Sequence, residues 1–299
     1  MGAEEIEIHA EGGAVLRATV MEPGGDTPPR AVAVLSHAMF ARRTEWLKRH
    51  ADGLSFADAL ARAGARVVAF DFRGHGDSGP AASAGGFWSF DDLVRRDLPS
   101  VVDAARLRAD GAPVVIVGHS LGGSVALAAT GAGLAAPDAI VAIASRIGLP
   151  RWDPSPVRRA LVRAMTEAMR RTTARVGYFP ARTLRQGSDD EAAPFVHDLV
   201  RFVETDAWKS EDGAHDYGDA LKDVAVPVLA FASTADRFQC PPECMKAMLG
   251  AVRRAELRVV SQGDDGGSAP DHMELVMASR AVRDAVVRFV TTTNVRSAT

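Results

Sequence analysis

The sequence predicts an α/β fold in which a mainly parallel, eight-stranded sheet carries helices on both faces. Short runs rich in β-branched residues alternate along the chain with longer segments of helical periodicity. This alternation is typical of parallel strands that crossover helices connect. The clearest run covers residues 114–117, and an Ala-rich segment from Ser124 follows it. An apolar run without polar alternation indicates a strand that is buried on both faces.

The remaining elements follow in order along the chain. The first two strands alternate apolar and polar residues around a Gly-Gly pair, which favours an antiparallel hairpin at the edge of the sheet. The later strands are nearly continuous apolar runs. Strands are predicted at 6–9, 15–21, 31–36, 66–70, 114–117, 139–144, 226–231 and 256–260. Helices are predicted at 54–63, 91–109, directly after Gly123, at 242–252 and at 272–290.

A length of 299 residues allows one large domain with an insertion. The regular alternation of strands and helices is interrupted between residues 145 and 222. The predicted core therefore comprises residues 1–144 and 223–299, and a mostly helical cap comprises residues 145–222. The cap separates its charges: ten arginines accompany two acids from 146 to 185, and eleven acids accompany three bases from 189 to 223. Two interpretations stay open. The arginines pair with the acidic half or with water, or they form a basic rim for anionic substrates or a membrane surface.

Composition excludes several classes of protein. A net charge of −3 argues against a dedicated nucleic-acid binder, and no apolar run reaches the length of a transmembrane helix. The acidic, alternating first residues resemble neither a signal nor a transit peptide, so we expect a cytoplasmic protein. Cys240 and Cys244 are expected to be reduced thiols, with a disulfide left open. No cluster has metal-ligand spacing, so neither a metal nor a cofactor is expected.

Residues 118–122, Gly-His-Ser-Leu-Gly, match the G-x-S-x-G pattern of a nucleophile elbow. In such an elbow, a serine lies on a strained strand-to-helix turn that lifts its hydroxyl clear of the sheet. The two outer glycines are needed because side chains there would collide where strand and helix crowd together. Amides at the start of the helix lie beside Ser120 and can stabilise an oxyanion. The pattern and its context predict Ser120 as a nucleophile.

A serine hydroxyl needs a base, usually a histidine that a carboxylate orients. Asp236 and His272 each follow a predicted strand, and they succeed Ser120 in the order Ser, Asp, His. Because open parallel sheets gather their sites at the carboxyl ends of strands, we expect these three side chains to converge. Two backbone amides are expected to hold the oxyanion, those of Leu121 and Met39.

Other carboxylates and histidines compete for these roles. Asp264 and Asp265 occupy a Gly/Asp loop, whereas Asp271 is predicted to cap the last helix. His119 is predicted to pack structurally within the elbow. The remaining six histidines lack a context that indicates catalysis: His75 lies in a Gly-rich turn, His37 ends a strand, and the others are His9, His50, His197 and His215.

These motifs resemble the α/β-hydrolase superfamily, in particular its serine-aminopeptidase-like and monoacylglycerol-lipase-like branch. The resemblance spans about residues 30–290 and rests on Gly-His-Ser-Leu-Gly-Gly at 118–123, Asp-Phe-Arg-Gly-His-Gly-Asp-Ser at 71–78, Asp236 and His272. It implies that Ser120 is the nucleophile, His272 the base and Asp236 the orienting acid. It also implies that the Met39 and Leu121 amides form the oxyanion hole and that residues 145–222 are a cap.

The sequence departs from the family pattern at three positions near these residues. The usual His-Gly of the oxyanion strand is His37-Ala38, which constrains that turn. The usual glycine before the acid is Ser233, and the usual glycine before the base is Asp271. A carboxylate at 271 can raise the pKa of the neighbouring imidazole or compete for its proton.

The sequence therefore predicts a serine hydrolase that cleaves carboxylic esters of small or lipid-like acyl groups through an acyl-serine intermediate. Two alternatives stay open: a thioesterase or acyltransferase with the same triad, and a non-catalytic ligand-binding protein of the same fold. The expected partner is a small-molecule ester or thioester, and the oligomeric state is left open. Pocket candidates, for most of which core packing is an equal explanation, are Phe40, His119, Trp88, Trp152 and Tyr178.

Overall fold

The computed structural model of the protein describes residues 2–24 and 28–294. Within these residues, strands and helices alternate as the apolar runs predict. The strands are β1 (Ala3–His9), β2 (Val15–Met21), β3 (Ala31–Ser36), β4 (Ala65–Phe70), β5 (Val114–His119), β6 (Ala139–Ile143), β7 (Tyr178–Phe179), β8 (Glu191–Ala192), β9 (Val228–Ser233) and β10 (Ala255–Val260).

The helices follow the strands along the chain. They are α1 (Thr44–Leu47), α2 (Phe56–Arg62), α3 (Phe90–Asp92), α4 (Leu98–Leu107), α5 (Leu121–Gly131), α6 (Pro156–Val176), α7 (Ala193–Thr205), α8 (Tyr217–Ala220), α9 (Pro242–Leu249), α10 (Glu274–Met277) and α11 (Arg280–Thr292). A π-helical stretch, Leu93–Asp97, joins α3 to α4.

The main sheet has eight strands in the order β1-β2-β4-β3-β5-β6-β9-β10. β2 pairs antiparallel with β1 and with β4, and every other neighbouring pair is parallel. The predicted α/β fold with a mainly parallel eight-stranded sheet is therefore confirmed. Every residue of β3, β5, β6 and β9 is buried. Because successive side chains point to opposite faces, this burial means that both faces of the central sheet are covered.

Two predicted boundaries differ from the structure for identifiable reasons. β9 begins at Val228, two residues after the predicted start, because Pro227 has no amide to donate to the strand ladder. The predicted closing helix at 272–290 is two helices, α10 and α11. The break lies at Ser279, whose side chain accepts a hydrogen bond from the Val282 amide and so starts α11 as its N-cap.

The segment between β6 and β9, residues 144–227, is here called the β6–β9 connection. It holds the 21-residue helix α6, the short β7–β8 hairpin and helix α7. α7 buries six residues, whereas Thr173 is the one fully buried residue of α6. The predicted limits of a separate cap at 145 and 222 stay a prediction.

The two charged halves of the connection do not chiefly neutralise each other. Asp153 pairs with Arg146 and Arg158, which belong to its own basic half. Asp189, in the acidic half, pairs instead with Arg42 from the loop after β3. Arg151 pairs with Asp206 of the acidic half, whereas Arg163 and Arg175 are exposed to water, so the interpretation in which the arginines pair with the acidic half or with water stays open.

α5 lies so close to β3 that one of its positions accepts only glycine. A Cβ at Gly122 would collide with the backbone carbonyl of Ser36. We expect Gly122→Ala to lower the free energy of unfolding by about 1–3 kcal/mol, the usual effect of overpacking. Urea unfolding of the purified variant measures this change. Gly267→Ala is the matched control, since nothing lies within 4 Å of a Cβ at that position. Equal stability of both variants would contradict the close packing.

Candidate active site

Ser120 lies between β5 and α5 with a φ of +49° and a ψ of −110°. This backbone region is strained for a residue with a side chain and persists only where surrounding structure imposes it. Here it is imposed by close backbone packing at two neighbouring glycines. A Cβ at Gly118 would collide with the backbone of Gly123, and a Cβ at Gly123 would collide with the hydroxyl of Ser145. The turn has the geometry of the predicted nucleophile elbow.

The structure brings together the predicted acid and base. His272 Nδ1 donates a hydrogen bond to Asp236 Oδ2 at 2.5 Å. Asp236 lies in the loop after β9, where its other oxygen accepts the amide of Gln239 at 2.9 Å. His272 lies between β10 and α10, and both side chains are buried. Because Nδ1 carries the proton that Asp236 accepts, Nε2 of the neutral ring is left as a proton acceptor.

Burial and charge set the protonation of this pair. Burial lowers the pKa of His272 below its ordinary value, and the nearby His119 lowers it further, outweighing the hydrogen bond that His272 donates to Asp236. Burial alone would raise the pKa of Asp236, but the hydrogen bond and charge of His272 leave it below its ordinary value. At neutral pH the pair is therefore a carboxylate and a neutral imidazole, which is the state a general base requires.

Ser120 and His272 both line two cavities that meet at the elbow. The larger cavity has a volume of about 590 Å³, and the smaller has a volume of about 350 Å³. Apolar residues of α6 and α7 form much of the larger wall, including Val162, Met169 and Val203. The loop after β3 and residues 186–188 form much of the smaller wall. A substrate can therefore extend to either side of Ser120.

Five aromatic or imidazole side chains were predicted to line the pocket, and Phe40 does so in both cavities. The other four lie elsewhere. His119 is fully buried beneath the site. Trp88 is also buried, and its ring nitrogen donates a hydrogen bond to Glu191. Trp152 packs edge-on against Trp208, and Tyr178 lies on β7 against the main core. Phe179 and Phe238 join Phe40 in the wall of the larger cavity, which is therefore partly aromatic and partly aliphatic.

The two predicted oxyanion donors are both at the site. Leu121 lines the larger cavity and Met39 lines both. Leu121 is the first residue of α5, where a helix leaves its amides without an intrahelical acceptor. Within residues 2–24 and 28–294, neither amide donates a hydrogen bond to another backbone or side chain. Both remain available to an oxygen that is bound beside Ser120.

The competing carboxylates have other partners. Asp271 accepts the amides of Met273 and Glu274 and so caps the start of α10, as its position predicts. Asp264 accepts the amide and hydroxyl of Ser261 in its own loop. Asp265 binds the hydroxyl of Ser279 and the amide of Ala281 at the start of α11. Among the described residues, none of the three accepts a hydrogen bond from the His272 ring, whose Nδ1 is bound to Asp236.

Two buried carboxylates at the site were missed from the sequence. Glu45 on α1 accepts the amide of Ala38 at 3.0 Å, and Glu191 on β8 accepts the amide of Phe40 at 3.4 Å. These amides flank the amide of Met39. Glu45 lies in a short helix and Glu191 ends a run of three acids in an irregular segment, and neither setting matches a motif, so the sequence holds no local signal for either role.

The described residues contain neither a metal-binding cluster nor a helix suited to cross a membrane. Among residues 2–24 and 28–294, no group of three or more histidine, cysteine or acidic side chains is placed to bind a metal ion. In the same part of the chain, no helix combines the length and the apolar character that crossing a membrane requires.

The family can be decided from a comparison with known proteins. A family model described as "Serine aminopeptidase, S33" (Hydrolase_4) matches residues 27–261, which is more than half of the chain. The chain belongs to this family of α/β hydrolases. The match covers every strand from β3 to β10, Ser120 and Asp236. His272 and the last helices follow it.

Individual proteins that are similar to this hydrolase either match only part of the chain or share little sequence identity with it. Lipase member N of Homo sapiens is 32% identical over 137 residues, which are 42% of this chain and 34% of that protein. The chain thus matches about a third of the length of this curated relative. A thermophilic esterase from Thermogutta terrifontis has a TM-score of 0.61 at 18% identity, covering 98% of this chain and 100% of that one. The monoacylglycerol lipase of Paleococcus ferrophilus has a TM-score of 0.55 at 17% identity, with 98% and 100% covered. These two structures share the fold.

The protonation of His272 can be measured without a substrate. We expect its imidazole to titrate below pH 6.5, because burial disfavours the charged ring. Asp236→Asn removes a carboxylate that favours the charged ring, so the pKa should fall further. NMR of histidine-labelled protein measures both values, and His272→Gln assigns the signal. Asp271→Asn is the control, since Asp271 adjoins the base without binding its ring. A His272 pKa above 6.5 would contradict the arrangement.

Proposed function

We propose that the protein is a serine hydrolase that cleaves carboxylic esters with an apolar acyl group through an acyl-serine intermediate. One observation carries the proposal. A serine in strained elbow geometry lies at the meeting point of two cavities, and a buried imidazole that shares these cavities is oriented by a carboxylate. This combination of nucleophile, base and orienting acid is what acyl transfer requires.

The proposed reaction has two halves. Ser120 Oγ attacks the ester carbonyl carbon as His272 Nε2 accepts the hydroxyl proton, and the Leu121 and Met39 amides donate to the resulting oxyanion. The ester C–O bond then breaks, and the alkoxide leaves with the proton from His272. Water next attacks the acyl-serine while His272 accepts its proton. Collapse of this second intermediate releases the carboxylic acid and returns the proton to Ser120.

The two cavities support a division of the substrate. We assign the acyl chain to the larger cavity, because its wall on α6 and α7 is apolar and buries hydrocarbon favourably. The alcohol is assigned to the smaller cavity, where the polar side chains of Arg42, Lys48 and Gln186 reach the surface. In this proposal the β6–β9 connection acts as the cap over Ser120, and lipase and esterase relatives support the ester chemistry.

A fluorophosphonate probe tests the nucleophile directly. We expect the probe to label the wild-type protein at Ser120 and to leave Ser120→Ala unlabelled. Ser100→Ala, which changes a serine on α4 far from the elbow, should label normally. Loss of Ser120 should also lower kcat toward p-nitrophenyl esters by at least about 10³-fold, as for other triad nucleophiles. Mass spectrometry of the labelled peptide identifies the site.

Three outcomes separate the proposal from its alternatives. Labelling that survives Ser120→Ala would remove the serine hydrolase. A labelled protein that hydrolyses neither p-nitrophenyl esters nor other carboxylic esters but cleaves acyl-thioesters would replace the esterase with a thioesterase. A wild-type protein that takes no label and turns over no ester would be a binding protein of this fold.

The acyl assignment predicts a preference that depends on one wall of the larger cavity. We expect Val162→Trp on α6 to lower kcat/KM for long-chain p-nitrophenyl esters by about tenfold or more, because the larger ring occupies space that the chain needs. Hydrolysis of the acetate ester should change little. The matched control is Leu161→Trp, which adds the same ring at a half-exposed position outside the cavity wall. Equal loss for acetate and long-chain esters in Val162→Trp would contradict the assignment.

A further inference from the structure

We propose that Glu45 and Glu191 are positioning residues that together aim the Met39 amide at the oxygen of the reacting carbonyl. This inference rests on the proposed function, since it concerns the oxyanion formed at Ser120. The two residues, here called the carboxylate clamp, hold the loop between β3 and α1 (residues 37–43, here called the oxyanion loop) from two different elements. Glu45 belongs to α1, and Glu191 belongs to β8 in the β6–β9 connection.

The clamp holds the amides on both sides of Met39. Glu45 Oε1 accepts the Ala38 amide at 3.0 Å, and Glu191 Oε1 accepts the Phe40 amide at 3.4 Å. Within the described ranges, the Met39 amide between them donates to no protein group, and Met39 lines both cavities beside Ser120. Two fixed peptide units therefore hold between them one amide that has no acceptor among the described residues and belongs to a residue lining the site.

The backbone at this point needs such support. Phe40 has a φ of +62°, a left-handed conformation that is strained for an aromatic residue. Its carbonyl accepts the amides of Ser188 at 2.8 Å and Asp189 at 3.0 Å. Arg42, on the same loop, binds the carboxylate of Asp189 through two nitrogens. The stretch from Ser188 to Glu191 thus fixes a loop that would otherwise relax to an unstrained conformation.

Glu191 is fully buried, and three donors surround its carboxylate. These are the Phe40 amide, His75 Nε2 at 3.1 Å and Trp88 Nε1 at 3.2 Å. Burial alone would lower the pKa of His75, but the charge and hydrogen bond of Glu191 raise it to about 9. At neutral pH the His75 ring is therefore charged, and it donates from Nε2 to Glu191 and from Nδ1 to the carbonyl of Arg73.

Glu45 connects the oxyanion loop to the other two parts of the site. His119, the residue before Ser120, approaches Glu45 Oε2 through Nδ1 at 3.3 Å. The same ring donates from Nε2 to the backbone carbonyl of His272 at 3.1 Å. The resulting network fixes the oxyanion loop, the elbow and the base relative to one another.

The test separates transition-state stabilisation from substrate binding. Glu45→Leu and Glu191→Leu each remove an acceptor from an amide beside Met39, and we expect kcat on a p-nitrophenyl ester to fall by about 10²-fold, as for loss of an oxyanion donor. KM should stay within about threefold, because the ground-state carbonyl uses this amide little. Inhibition by a trifluoromethyl ketone, which forms an oxyanion on Ser120, should weaken with kcat, whereas binding of the matching methyl ketone should not.

Conservative variants keep the proposal falsifiable if a leucine variant fails to fold. The amide of Glu45→Gln can accept from Ala38 and donate to His119, so this variant should restore most of kcat. Glu191→Gln cannot satisfy three donors with one amide oxygen, so it should stay impaired. A Glu45→Gln enzyme as impaired as Glu191→Gln would overturn the clamp.

A matched control is Asp138→Leu. Asp138 is also a buried carboxylate that holds one backbone amide, that of Val114, and one cation, Arg106, at the opposite end of β5. We expect this variant to lose stability and to keep kcat. If both leucine variants fold and retain kcat, or if the two ketones weaken equally, the clamp is wrong. These results are independent of the probe labelling of Ser120, so failure of the clamp and failure of the serine hydrolase are distinguishable.

Discussion

The close approach of α5 to β3 and β5 is the constraint on which the site depends. Glycines at 118, 122 and 123 let two backbones and the hydroxyl of Ser145 occupy space that side chains would need. The chain can make so sharp a turn only if Ser120 adopts a φ of +49°. That strain is maintained by the burial of β5 and α5 around it, and it directs the hydroxyl into the cavities. The acid, the base and the oxyanion loop are all placed relative to this turn.

Around that turn the protein repeats one electrostatic arrangement three times. The carboxylates of Asp236, Glu45 and Glu191 each face a histidine, namely His272, His119 and His75. A buried carboxylate is tolerated only when it is paired and hydrogen-bonded, and removal of one partner costs about 3–5 kcal/mol. The three pairs are not equivalent. His272 stays neutral beside Asp236, whereas the His75 pKa rises to about 9 beside Glu191. The first pair can accept a proton, and the last acts as a fixed charge pair.

The sequence predicted the sheet and the residues at the ends of its strands, because both depend on local patterns. Apolar runs show where strands lie, and the parallel topology brings Ser120, Asp236 and His272 to one edge. Glu45 and Glu191 were not predictable in the same way. Glu191 meets the Phe40 amide from 151 residues away, and Glu45, although only seven residues from Ala38, meets that amide only once the intervening loop has folded back. The predicted aromatic pocket was only partly right for a related reason: most of the large rings fill the core, and Phe40 and Phe179 share the wall with aliphatic side chains of α6 and α7.

The β6–β9 connection has a buried part, β8 and α7, and a more exposed part, α6. Glu191 is fully buried on β8, and α7 follows directly with six buried residues that include Phe195 and Phe202 against Phe90. α6 buries one residue and presents apolar side chains both to the cavity and to the surface. A change on α6 therefore alters the cavity wall with little effect on packing, whereas a change near β8 reaches the oxyanion loop. In the proposed hydrolase, substitutions on α6 can therefore change substrate choice while the geometry at Met39 stays constant.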